Sequence, residues 1–245
     1  MTEGPHDPTS TTLGRTDIRV SKLGIGAMVW GDMSTAPWWS PARSAYGPTS
    51  TADDQRAALE VSLAAGVNFL DTAAMYGKGV SERRVGELTK DKDLVVATKF
   101  PFGNFSRERS LPVALDESLH RLQRARIDLY QIHYPFPWMS IRKLMNLLAD
   151  AVEAGKIRAA GVSNYSAKQM RTAHAELARR GADLPVVLGG IIPRADHPRL
   201  LALGVRAVFG PESAIDEALT QREHEMYPLL YRDGALLGKP ASADA

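Results

Sequence analysis

Four side chains stand where short apolar runs end: Asp71 closes "VNFLD", Lys99 closes "LVVATK", His133 closes "LYQIH", and Tyr76 follows the first of these in "TAAMYGKG". In parallel βα folds, reactive groups gather at the C-terminal ends of strands and on the loops that follow. A tyrosine hydroxyl titrates near about 10, so to give up a proton near neutrality it needs a neighbouring cation for its phenolate. Lys99 can be that cation. A buried lysine keeps its charge only beside an anion, which Asp71 supplies from the adjacent strand. His133 can hydrogen-bond a substrate oxygen and orient it. The set makes a general acid for a carbonyl that is receiving a hydride. Each residue alone has a plainer reading: a helix-capping acid, a packed tyrosine, a solvated lysine, a structural histidine.

The elements that must position them alternate. "TTLGRTDIRVSKLGIGAM" predicts a small hairpin and a first buried strand around 23–28, and the Pro- and aromatic-rich "MSTAPWWSPARSAYGPTS" a loop. "TADDQRAALEVSLAAG" then has Thr51 as N-cap, acids in its first turn and a closing Gly66. Helices "SERRVGELTK", "LPVALDESLHRLQRA", "SIRKLMNLLADAVEAG" and "SAKQMRTAHAELARRG" follow, separated by strands "LVVATKF", "IDLYQIHYP" and "IRAAGVSNY". "PVVLGGII", a helix "HPRLLALG", "VRAVFGP" and a helical stretch over 213–230 complete the series. Strict βα alternation implies a parallel sheet covered by helices, either a closed barrel or an open doubly wound sheet. Seven strands are counted from Leu23, with no eighth in "RDGALLGKPASADA", which reads as a flexible terminus.

Length and composition bound the rest. The chain has 245 residues, 44% hydrophobic and 24% charged, which suits one barrel-sized domain of about 250 residues. A net charge of +2, spread along the chain, points to no nucleic acid and no membrane, and leaves small soluble partners. With no cysteine, disulfides, thiolate metal sites and a cysteine nucleophile are excluded, which is compatible with a cytoplasmic location. The six histidines lack metal-ligand spacing, so no metal is expected, and Asp196 with His197 reads as a solvated turn. "GIGAMVWG" leads into a loop rather than a helix and is no dinucleotide fingerprint.

Residues from about 13 to 181 resemble the aldo-keto reductase superfamily, through "LGRTDIRVSKLGIGAMVWG", "GVNFLDTAAMYGKGVSERRVGE", "VVATK", "IDLYQIHYP" and "AGKIRAAGVSNYS". The resemblance implies a (β/α)8-type TIM barrel and reduction of an aldehyde or ketone with NADP(H). It implies Tyr76 as general acid/base, Lys99 and Asp71 as the pair that sets its acidity, and His133 as the orienter of the carbonyl. It also implies cofactor contacts at Asp71, at Gly26, Ala27 and Met28, and at Ser163 and Asn164, where a helix cap is the plainer reading. Trp30 is the implied substrate wall. The loops "WGDMSTAPWWSPARSAYG" and "YPFPWMS" bring Trp30, Trp38, Trp39, Phe136 and Trp138 near the mouth, which suggests an aromatic or bulky carbonyl compound, core or loop packing being the plainer reading.

Beyond Gly181 the family's remaining pattern, a polar strand, a stacking aromatic and a basic grip on the adenosine phosphate, is not found. Instead, "VVLGGIIP", "LLALGV" and "VFGPESAI", over about 185–218, resemble the C-terminal half of the cobalamin-binding domain of acyl-CoA mutases, without that family's Asp-x-His-x-x-Gly motif. The expected organisation is a disordered tail over 1–12, a barrel portion over 13–184, a flavodoxin-like βα segment over 185–230 completing the same barrel, and a flexible 231–245. Three readings stay open: a carbonyl reductase weakened by the replaced part, a binding module for a nucleotide- or cobalamin-like ligand, and a non-catalytic recombined or truncated barrel, a chimera. A homodimer that covers an open sheet edge is a further expectation.

Overall fold

The computed structural model describes residues 10–13, 16–21, 23–30, 51–101 and 107–180, together with the two-residue strands at 188–189, 208–209, 231–232 and 235–236. Strands β1 (Ser10–Thr12) and β2 (Arg19–Ser21) pair antiparallel as the expected hairpin. A parallel sheet then runs in chain order through β3 (Gly24–Gly26), β4 (Phe69–Asp71), β5 (Val95–Phe100), β6 (Ile127–Ile132), β7 (Ile157–Ser163), β8 (Leu188–Gly189) and β9 (Val208–Phe209). Helices α1 (Ala52–Ala64), α2 (Val80–Thr89), α3 (Leu111–Leu122), α4 (Ile141–Glu153) and α5 (Ala167–Arg179) alternate with the strands. Sequential parallel strands with intervening helices make the fold α/β and TIM-barrel-like.

Local signals explain the helix boundaries. The Thr51 hydroxyl accepts the Asp54 N–H at 3.1 Å while the Asp54 carboxylate accepts the Thr51 N–H at 2.9 Å, so α1 starts on a reciprocal cap. It stops at Gly66, whose φ of 78° suits a residue without Cβ. Ser166 and Gln169 repeat the cap for α5, and the Ser140 hydroxyl accepts the Lys143 N–H to start α4.

Three expected boundaries shift. Ser10–Thr12, expected in the disordered tail over 1–12, belong to the hairpin; 1–9 lie outside the described residues. The strand expected around 23–28 is the shorter Gly24–Gly26, in which only Ile25 is half-buried, because Met28–Trp30 turn into a short 3-10 helix. Within the expected flexible terminus, Tyr231–Arg232 and Ala235–Leu236 pair antiparallel as β10 and β11. The helices expected at "HPRLLALG" and over 213–230 lie outside the described residues, as do Trp38 and Trp39.

Strand side chains alternate between two faces, and here the faces differ in kind. Leu70, Val96, Tyr130, Ile132, Ala160 and Val162 pack into the main core beneath the helices. The opposite face begins with Phe69, Val95, Ala97, Leu129 and Ala159, against which the hairpin lays Leu13, Ile18 and Val20. A lone hairpin is marginal in water. Each of those three side chains is 1% exposed and contributes about 1.5–3 kcal/mol, which holds the hairpin across the N-terminal end of the sheet. Further along, the same face carries Asp71, Lys99, Gln131 and Ser163 at the strands' C-terminal ends, with His133 one residue beyond β6. The interior is thus apolar at its floor and polar at its mouth.

Glu82 ties the helices to this sheet. Its fully buried carboxylate accepts the Thr98 hydroxyl and Arg121 Nε, each at 2.6 Å, so α2, β5 and α3 meet at one buried ion pair.

Candidate active site

Asp71 ends β4, in register with Gly26 on one side and Ala97 on the other. Lys99, next but one after Ala97 on β5, is 6% exposed and points the same way. Its Nζ donates to Asp71 Oδ1 at 2.7 Å, Asp71 Oδ2 at 2.6 Å and the Thr72 carbonyl at 2.8 Å. Three acceptors use all three ammonium protons. The chain reaches Thr72 because its N–H bonds to the Ala97 carbonyl, prolonging the β4–β5 ladder past the strand end.

Tyr76 begins a short 3-10 turn (Tyr76–Gly79) and is half-buried. Lys99 Nζ lies 5.4 Å from the centre of its ring. The His133 ring meets Tyr76 edge-on, centroids 5.8 Å apart and planes at 81°. His133 is 5% exposed, and burial first, then the Lys99 charge, pushes its pKa down to about 3. The imidazole is therefore neutral at physiological pH. Its Nδ1 is buried and finds no hydrogen-bond partner among the described residues. The four residues singled out in the sequence thus come together from β4, its following loop, β5 and β6.

At the end of β7, Asn164 adopts φ 60°, and its Nδ2 donates to the His133 carbonyl at 2.8 Å and to Ser163 Oγ at 3.1 Å. That leaves Asn164 Oδ1 as an acceptor and the Ser163 hydroxyl as a donor, side by side. The N-cap of α5 is Ser166 instead, so capping does not occupy Ser163 or Asn164. Across the sheet, a side chain at Gly26 would meet nothing within 4 Å. Ala27 is already paired, its N–H to the Asp71 carbonyl at 2.8 Å and its carbonyl to the Ser81 hydroxyl at 2.5 Å. Met28 opens the 3-10 helix that follows.

The two tryptophans separate. Trp30 is 6% exposed and packs in the main core, whereas Trp138 is 45% exposed and lies 5.5 Å from Phe136, ring to ring. Two features escaped the sequence reading. The Thr72 carbonyl is invisible because a backbone acceptor has no residue-type signal. Tyr134 stacks on His133 at 4.8 Å and 21°, and the adjacency in "IHYP" was its only trace.

Residues 22–188 match the model of the Aldo/keto reductase family. The chain belongs to that family. Among curated relatives of this reductase family, aldo-keto reductase YhdN of Bacillus subtilis is 33% identical over 177 residues, 66% of this chain and 49% of its own. The Schizosaccharomyces pombe protein named aldo-keto reductase yakc [NADP(+)] is 38% identical over 143 residues, 53% of this chain and 42% of its own. The chain spans about half the length of the curated relatives it matches. A solved Bacillus halodurans aldo-keto reductase in its holo form superposes with a TM-score of 0.63 at 24% identity, covering 95% of this chain and 72% of that one, which supports the fold. Among the described residues no helix is long and apolar enough to cross a membrane, and no cluster of three or more histidine or acidic side chains can hold a metal.

Proposed function

We propose that the chain reduces an aldehyde or ketone to the alcohol with NADP(H), using Tyr76, Lys99, Asp71 and His133. The observation that carries this reading is their convergence on one face of neighbouring parallel strands, with Lys99 locked to both oxygens of Asp71 beside the Tyr76 ring. The residues present fit a nicotinamide group. A carboxamide needs one donor and one acceptor, which the Ser163 hydroxyl and Asn164 Oδ1 offer, and the open space over Gly26 admits a flat ring or ribose. Membership of the family and the NADP(+) in the name of the yeast relative support the cofactor. Asp71, Gly26, Ala27, Met28, Ser163 and Asn164 would hold it, Ala27 by packing since its N–H is spent.

When bound, the reduced cofactor supplies a hydride to the carbonyl carbon. The rest is done by the chain. Neutral His133 keeps one N–H, and with Nδ1 buried and unpartnered the donor is Nε2–H, which grips the carbonyl oxygen and sets its direction. The Tyr76 hydroxyl gives its proton to that oxygen, and water later returns one to the phenolate. A unit cation 5.4 Å from a charge spread over the ring attracts it by about 3 kcal/mol at an effective dielectric of about 20. Asp71 offsets part of this attraction while keeping Lys99 charged. Exposed Met75, Tyr134 and Trp138 favour an aromatic or bulky apolar carbonyl compound, whereas Trp30 packs in the core.

A fluorescence titration with NADPH and turnover of a simple aromatic aldehyde test the proposal together. Tyr76→Phe is expected to bind NADPH normally and to lose about 10²–10⁴ in turnover. Absence of both binding and Tyr76-dependent turnover in the unaltered chain would overturn it. A second reading rests on β8 and β9, whose pairings Ser163↔Gly189 and Gly189↔Phe209 put the first glycine of "GGIIP" beside the site. On it, the segment over 185–218 continues the barrel wall and cradles a nucleotide-like tail, as its resemblance to cobalamin-binding domains implies. Unchanged cobalamin or phosphate binding in Gly189→Val would remove that reading. A homodimer covering the sheet edge remains part of the proposal, checked by the mass in solution.

A further inference from the structure

We propose that Tyr134 is a positioning residue for His133: its ring, lying flat on the imidazole, fixes the plane in which Nε2 addresses the substrate oxygen. What His133 does there rests on the reductase reading; how it is held does not.

Functional histidines are usually oriented by a hydrogen bond to the second ring nitrogen. Among the described residues His133 has no such anchor, since Nδ1 is buried and none of them bonds to it. The hydrogen bond from Asn164 reaches only its backbone carbonyl and leaves the ring free to turn about its own torsions. Two rings then restrict the imidazole. Tyr76 meets it edge-on at 5.8 Å, and Tyr134 covers its face at 4.8 Å and 21°. Rotation of the imidazole would drive its edge into the Tyr134 face, so the stack replaces the missing hydrogen bond. Pro135 strengthens the device, because proline disfavours helical backbone for the residue before it, which narrows where the Tyr134 ring can lie.

Exposure points the same way. Tyr134 is 38% exposed, whereas the histidine beneath it is 5% exposed. A large aromatic half in water contributes little to the core, but here it screens the imidazole. The charged and titratable groups facing His133 are Lys99 from β5, with Asp71 of β4 paired to it, Tyr76 from the loop after β4, and Tyr134 itself. Only the last shields without bringing charge or joining the proton transfer.

The test uses the full chain labelled with ¹⁵N-histidine and no cofactor, in unaltered, Tyr134→Phe, Tyr134→Ala and Tyr134→Leu forms. Imidazole nitrogen shifts are followed from neutral pH downward. In the alanine and leucine variants the His133 midpoint is expected to move from about 3 toward the ordinary 6.5, with mixed tautomers, while the phenylalanine variant keeps the unaltered behaviour. Leucine retains bulk without a flat face, so it carries the test if the alanine variant does not fold. For aldehyde reduction, Tyr134→Ala should lower kcat about tenfold with KM changed less than about twofold, and Tyr134→Phe should restore it. Unchanged titration and tautomer in both alanine and leucine variants, or a phenylalanine variant that behaves like alanine, would overturn the proposal. Expected shifts in a chain with no reductase turnover would instead sink the reductase reading and leave the positioning role standing.

Discussion

Replacing Lys99 by methionine separates what the lysine does for stability from what it does for chemistry. Its ammonium makes three hydrogen bonds, two of them to the Asp71 carboxylate, from a side chain 8% exposed. Removing one partner of a buried ion pair costs about 3–5 kcal/mol, mostly through the charge left behind. Asp71 is 35% exposed at its side chain, so water can resolvate part of it, and the expected loss is about 2–3 kcal/mol. For a chain of this size that lowers Tm by about 5–10 °C. Asp71→Asn in the same chain removes the stranded charge, so the double variant should regain at least about half of the stability lost. Turnover should not follow, because the Tyr76 phenolate still lacks its cation: both variants should sit about 10²-fold or more below the unaltered chain. Urea midpoints and steady-state aldehyde reduction, measured on the unaltered chain, Lys99→Met and the double variant, decide the matter. A double variant no more stable than Lys99→Met, or one that recovers turnover along with stability, would contradict these roles of Lys99.

His133 makes acid stability diagnostic. Its native pKa of about 3 lies below the unfolded 6.5, so between those values the unfolded chain takes up a proton that the native site refuses, and stability falls as pH falls. At pH 5 this amounts to about 2 kcal/mol, and His133→Gln should show a correspondingly flatter urea midpoint between about pH 7 and 5; equal slopes would contradict the buried neutral imidazole. Gly86→Ala probes the contact between α2 and α3. An added Cβ would sit 2.7 Å from the Arg121 carbonyl oxygen and 2.8 Å from Leu122 backbone atoms. Backbone cannot step aside cheaply, so a loss of about 1–3 kcal/mol is expected by thermal melting; a variant as stable as the parent would mean the helices pack less closely.

Why the cluster of Asp71, Lys99 and His133 was legible follows from periodicity. Residues two apart on a strand share a face, so a run such as "VVATK" puts Lys99 on the face of Ala97 and Val95, and the structure shows that this is the floor side rather than the helix side. The same alternation orders Leu129, Gln131 and His133. Helix starts were equally open, because Thr51 with Asp54 and Ser166 with Gln169 are capping pairs at fixed spacing. Trp30 was less legible: its neighbours in the core come from distant elements, and no local pattern distinguishes a wall from a core tryptophan. The Ser163–Asn164 pair was ambiguous in sequence between cap and ligand group. Only the left-handed turn at Asn164, which aims its amide at the His133 carbonyl, shows that the cap lies further on.

That turn also bears on how the site is held. Asn164 reaches from β7 to the end of β6, Lys99 reaches from β5 to the end of β4, and the Ala27 N–H reaches from the end of β3 to the Asp71 carbonyl. Each strand end is therefore stitched to its neighbour by a polar contact just past the regular ladder. Ordinary sheet hydrogen bonds fix the strands below this level, and apolar packing fixes the floor. The proposed reactive groups then depend on five consecutive strands and three stitches, all within the part of the chain that matches the family. Loosening the Asn164 stitch should disturb His133 before it disturbs the fold, because Asn164 is exposed and water can replace the lost partner, whereas Lys99 and Ala27 are buried.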